Sequence, residues 1–129
     1  MAQHLTLVTL VVPDYDAGIA FYRDAVGFTV VEDLPLGGGK RWVVLRPPGA
    51  QEGGVLLARA VDAAQTAAIG NQTGGRVAFF LQTDDFARDH AAMLAAGVTF
   101  LEAPRVEPYG TVAVWRDIFG NTWDLLQRA

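Results

Sequence analysis

Asp124 carries more potential chemistry than any other residue of this chain, being a lone carboxylate between Trp123 and Leu125 in the apolar run TWDLL. A carboxylate buried there without a partner titrates above its ordinary range, so a donor is expected, with Arg46, Arg76 and Arg116 as candidates. Held in a cavity, Asp124 could orient a cationic ligand or act as a general base. The other polar candidates read structurally. Asp84 and Asp85 stand just before a helical pattern, as capping residues do, and Asp117 is a turn-former before Gly120. His90, three residues from Ala87 and four from Leu94, lies at the margin of an apolar helix face, and His4 is expected to be a solvent-exposed terminal histidine. Arg46 and Arg116 close equivalent strands and are expected to bridge to turn carboxylates. Gly37, Gly38 and Gly39 precede a strand and lack the Lys-Ser/Thr of a phosphate loop.

Composition narrows the function classes. The chain has 129 residues, 51% of them apolar, enough for one domain with a substantial core. It has no cysteine, which excludes a disulfide framework, a thiolate metal site and a cysteine nucleophile together. A formal charge of -4 without any cluster of Lys and Arg argues against nucleic acid as a partner. No apolar run is long enough to span a bilayer, and the start MAQHLTLVTL lacks a secretory pattern, so the expected location is cytoplasmic.

The elements that position these residues are announced by a repeat. DYDAGIAFYRDAVGFTVVE, residues 14–32, is echoed by DDFARDHAAMLAAGVTFLE, residues 84–102, with identity at Asp14/Asp84, Ala17/Ala87, Ala25/Ala95, Gly27/Gly97, Thr29/Thr99 and Glu32/Glu102. Repetition at a fixed offset marks duplicated units that each need something to pack against. Before the first copy, 5–12 reads as a buried strand; Asp14 caps a helix of about three turns that ends at Gly27. Strands follow at 28–34, 41–45 and 55–58, separated by LPLGGGK and RPPGAQEGG. A short helix is expected over 62–69. The second unit repeats the order with a strand at 76–81, a helix at 84–96 and strands at 98–101, 111–115 and 122–126. The fold class is therefore α+β, two β-α-β-β-β modules at 1–59 and 76–129 joined by a linker at 60–75.

This order, with VVPDYDAGIAFYRDAVGF in the first unit and DIFGNTWDLLQ at the end, resembles the vicinal oxygen chelate superfamily, the glyoxalase, bleomycin-resistance and extradiol-dioxygenase group. The resemblance covers nearly the whole chain. It implies paired modules whose mixed sheets curl into a cup, completed in a homodimer, with the ligand inside. It also implies a divalent metal held by His, Glu or Gln from the first, fourth, fifth and eighth strands and acting as a Lewis acid.

The positions that correspond here are Leu7, the aliphatic 55–58 strand, Arg76 or Ala78, and Asp124. One carboxylate is too few for a catalytic metal, so no metal or other cofactor is expected. Trp42, Trp115 and Trp123 fall on strands, as do Phe79, Phe80 and Phe100; parity lets only one of each adjacent pair face inward. The expected site is a partly aromatic cup lined by Leu7, Thr9, Trp42, Arg76, Phe80, Trp115 and Asp124, binding a small organic molecule. The alternative is a lyase, isomerase or dioxygenase of glyoxalase type, metal-dependent or using Asp124 as base.

Overall fold

The computed structural model describes residues 1–129 and divides them into two compact units, Met1–Ala68 and Ile69–Ala129. The stretch 60–75, read as a linker, is thus split, its short helix belonging to the first unit. The architecture is α+β, with one mixed sheet in each unit.

In the first unit, β1 (Val8–Val12) leads into α1 (Tyr15–Ala20), which continues as a π-helical stretch, Phe21–Val26. Then come β2 (Thr29–Gly37), β3 (Lys40–Arg46), β4 (Val55–Arg59) and α2 (Ala63–Ala68). The sheet order is β1-β4-β3-β2, with β1 parallel to β4 and the other pairs antiparallel. The helix begins where the sequence places it, because the Asp14 carboxylate accepts from the Ala17 N–H at 2.8 Å. It stops at Gly27, whose φ of 92° is left-handed. Gly18 sits so close to the sheet that a Cβ there would lie 2.9 Å from Leu57 Cδ1 and 3.4 Å from Val12 Cγ1. The helix therefore covers the sheet face of Leu10, Val12, Val43, Leu45, Val55 and Leu57, all buried. Each such side chain contributes roughly 2 kcal/mol of hydrophobic stabilisation. Strand alternation sends Thr9, Val11, Trp42, Val44 and Leu56 to the opposite face, called the open face because no helix covers it, although Val44 is buried there.

The second unit contains β5 (Phe79–Gln82), α3 (Phe86–Ala95), β6 (Thr99–Phe100), β7 (Arg105–Glu107), β8 (Gly110–Arg116) and β9 (Thr122–Arg128). Its order is β5-β9-β8-β6, with β7 also on β8. The α3 cap is Asp85, which accepts from the Arg88 N–H, while Asp84 pairs with the Arg88 guanidinium. The face that α3 turns to the sheet is Phe86, His90 and Met93 rather than the Ala87 and Leu94 side; Leu94 is exposed. His90 stacks on Phe86 and meets Phe100 edge-on, 4.5 Å between centroids, which makes it a packing histidine on the helix-covered face.

Comparison of the units corrects the repeat. Strands β2 and β3 begin seventy residues before β6 and β8, but β1 and its cap Asp14 precede β5 and the cap Asp85 by seventy-one. The first helix therefore holds one extra residue between cap and glycine. The π-helical stretch absorbs it, a single-residue insertion being what widens an α-turn into a π-turn. Where β2 is continuous, its counterpart is broken into β6 and β7 by Glu102–Pro104. Proline has no N–H for a ladder, and the Glu102 carboxylate takes over by accepting the Val114 N–H at 3.1 Å.

Candidate functional site

The expected site residues separate by face. In the first unit, Thr9 and Trp42 lie on the open face, and Leu7, two residues before Thr9, continues its row. Thr9 is exposed, while Leu7 and Trp42 are half-buried. In the second unit, the register pairs Asp124 with Phe80 of β5 on one side and Val114 of β8 on the other. Paired residues point to the same side of a sheet, so these three share the open face. Ala78 follows the parity of Phe80; by the spacing that relates Leu7 to Asp14, it is the counterpart of Leu7 before Asp85.

Trp115 lies on the other face. It stacks on Trp123 at 5.0 Å, and Trp123 meets Phe79 at 4.6 Å, beneath α3. Trp115 is 0% exposed, so it is core on the helix side and lines no open face. Only Trp42 of the three tryptophans is on an open face. Arg76 stands in the loop before β5, exposed, with its carbonyl accepting from the Thr73 and Thr122 hydroxyls.

The expected donors for Asp124 are corrected too. Its Oδ1 is buried and has no hydrogen-bond partner, although the residue is only 8% exposed. Arg46 donates to the Gly53 carbonyl at 2.8 Å rather than to a turn carboxylate, and Arg116 is exposed. The cation felt at Asp124 is Arg105, which sequence reading did not single out. Arg105 is committed elsewhere, to Glu102 at 3.0 Å and Glu107 at 2.7 Å. Burial pushes the Asp124 carboxyl above its usual range; the Arg105 charge opposes this and the Glu102 charge adds to it. Glu102 had one signal in the sequence, its recurrence at Glu32.

Val114 explains how close these groups come. Its N–H donates to Glu102 and its carbonyl accepts from Leu101 N–H, so both of its backbone groups point away from β9. Val114 and Asp124 thus form a non-hydrogen-bonded antiparallel pair, the kind in which side chains approach most closely. The result is a carboxylate flanked by apolar side chains, with Phe80 alongside it 66% exposed.

A model of the Glyoxalase/Bleomycin resistance protein/Dioxygenase superfamily matches residues 3–125. The chain belongs to this superfamily. It is 48% identical over 128 residues to an uncharacterized protein of Shewanella frigidimarina, covering 98% of this chain and 95% of that one. Among solved structures, UcmS2 superposes with a TM-score of 0.84 at 29% identity, covering 98% of each chain. TnmS3, described as an antibiotic binding protein from Streptomyces sp. CB03234, gives 0.79 at 28% identity, over 99% of this chain and 98% of its own.

The positions at which the family resemblance implies metal ligands hold Leu7, the β4 side chains Leu56 and Ala58, Arg76 or Ala78, and Asp124. Nowhere does the chain gather three or more His, Cys, Asp or Glu side chains that could hold an ion. Leu7 and Ala78 offer no lone pair, the open side of β4 presents Leu56 and Ala58, and His90 is packed against Phe86 and Phe100 on the sheet-facing side of α3. Of these positions, Asp124 carries a carboxylate.

Proposed function

We propose that this superfamily member binds a small, partly aromatic organic molecule on the open sheet face around Asp124 and Phe80, without a metal, and works as a homodimer. The observation that carries the reading is the buried, unpartnered Asp124 Oδ1 beside a largely exposed Phe80. A few placed polar groups among apolar ones are the usual make-up of a small-molecule site. Taken by itself, the open face of the first unit presents Leu7, Thr9 and Trp42. The antibiotic-binding description of TnmS3 supports a binding role of this kind.

A thermal-shift screen of planar organic compounds, run beside elemental analysis of protein purified without chelators, tests it. At a hundredfold excess over the dissociation constant, linkage predicts stabilisation of about 2.7 kcal/mol by a true ligand. A stoichiometric divalent ion, or a broad library without a stabilising compound, would refute the reading.

A second reading rests on the raised Asp124 carboxyl: a group moved toward neutral pH is better matched to proton abstraction, so Asp124 would serve as general base in a glyoxalase-type lyase or isomerase. Asp124→Asn separates the two. Loss of turnover in a folded variant supports the enzyme, whereas altered affinity with no turnover in either protein supports the binder.

A further inference from the structure

We propose that Asp124 receives the N–H of a protonated amine carried by an aromatic guest that lies against Phe80, so that the open face of Ile69–Ala129 selects cations over neutral and anionic guests. The inference rests on the binding reading above and adds the ligand's chemical class.

Three observations converge on it. Oδ1 of Asp124 is an acceptor with no donor from the protein and is shut off from solvent, in a residue 8% exposed, so a guest engages it only as the carboxylate turns toward the open face. A buried ionised carboxylate lacking a partner is costly, and a guest that brings both a donor and a positive charge relieves both deficits, whereas a neutral alcohol relieves only one. The neighbouring charges cannot do this instead. Arg105 is held by Glu102 and Glu107, Arg128 donates to Gln82, and Arg116, exposed two residues along β8 from Val114 on the same face, is not among the charges that act on Asp124. Around Asp124, therefore, the protein supplies the charges of Arg105 and Glu102 but no cation in hydrogen-bonding contact with the carboxylate.

Phe80 provides the second contact. It is the cross-strand partner of Asp124, on the same face, and 66% exposed. An ammonium beside a carboxylate and near a ring gains from both, and the ring supplies a platform for the aromatic part of the guest. The formal charge of -4 gives a field of the same sign.

The test uses three matched probes, 1-naphthylmethylammonium, 1-naphthalenemethanol and 1-naphthoate, titrated calorimetrically into the whole chain. The ammonium is expected to bind about tenfold more tightly than the alcohol, and the carboxylate more weakly than either. Asp124→Asn should bring the ammonium-to-alcohol ratio close to one while leaving the alcohol's affinity within about threefold. Phe80→Ala, at an exposed side chain and so without a folding penalty, should weaken ammonium and alcohol alike and keep their ratio. Equal binding of ammonium and alcohol by the natural chain, a ratio that survives Asp124→Asn, undiminished ammonium affinity in Phe80→Ala, or no ammonium binding at all overturns the proposal. If the screen of planar compounds still finds a ligand, the binding reading stands and only the amine selection falls. If that screen is also barren, both fall together.

Discussion

Two aspartates a few residues apart show how differently one side chain can be used. Asp117 sits in the β8–β9 turn, 3% exposed, with Oδ1 accepting from the Phe119 and Asn121 backbone N–H groups, both at 2.9 Å, and Oδ2 from Asn121 Nδ2 at 2.8 Å. Asp117→Ala strips the donors of a buried turn of their acceptors and should cost about 3 kcal/mol, read from urea denaturation. Asp117→Asn keeps one acceptor but opposes an amide to the Asn121 amide, so an intermediate loss is expected. A loss below about 1 kcal/mol for the alanine variant would show that the turn is held by its backbone alone. The turn role was legible because Asp, Gly120 and Asn121 are turn residues in any context. The state of Asp124 was only half legible: its apolar neighbours foretold burial, but the arginine donor expected for it is missing, because the groups that reach it depend on which residues oppose it across β5 and β8. Register of that kind is a tertiary fact, and the local pattern around Arg105 held no trace of it.

At the scale of elements, glycines that look alike in the sequence do unlike work. Gly27 closes the first helix at φ 92° with nothing within 4 Å of an added Cβ. Gly110 opens β8 at φ 149°, and a Cβ there would lie 2.1 Å from the Gln127 carbonyl oxygen of β9. Gly27→Ala pays only for the left-handed backbone, about 1 kcal/mol, whereas Gly110→Ala must also force β8 away from β9 and should cost about 3 kcal/mol or more. Thermal unfolding of the two variants side by side checks the order, and equal losses would contradict it. The helices, caps and most strands were legible from alternation, capping aspartates and terminal glycines. The break of β6 and β7 was not, since Arg105–Glu107 is short and charged and becomes a strand only through pairing with β8. Nor was the one-residue shift between copies, although adjacent Asp84 and Asp85 left room for it. Parity also foretold that Trp123 and Asp124 must face opposite ways, but which face carries the helix was settled only by packing, and that decision moved Trp115 from the expected site to the core.

For the molecule as a whole, the burial of Asp124 links the candidate site to stability. Burial first, and the Glu102 charge last, raise the carboxyl in the folded chain, against the smaller opposing effect of Arg105. Between the unfolded chain's ordinary carboxylate range and the folded value, the folded chain holds a proton that the unfolded chain has released, so stability falls as pH climbs through that interval. Below the interval both states are protonated and the penalty is absent; above it the penalty is complete. An asparagine at 124 has no such proton. Unfolding of the natural chain and of Asp124→Asn, followed by denaturant from about pH 4 to about pH 8, should therefore show the difference moving in favour of the variant through that interval and levelling off above it. A constant offset, whatever its sign, would mean that Asp124 titrates normally in the folded chain. A cationic guest opposes this linkage, because it favours the ionised carboxylate and pulls its titration back down. In the presence of 1-naphthylmethylammonium the pH dependence of the natural chain should flatten toward that of the variant, which ties the cost in stability to the guest that would relieve it.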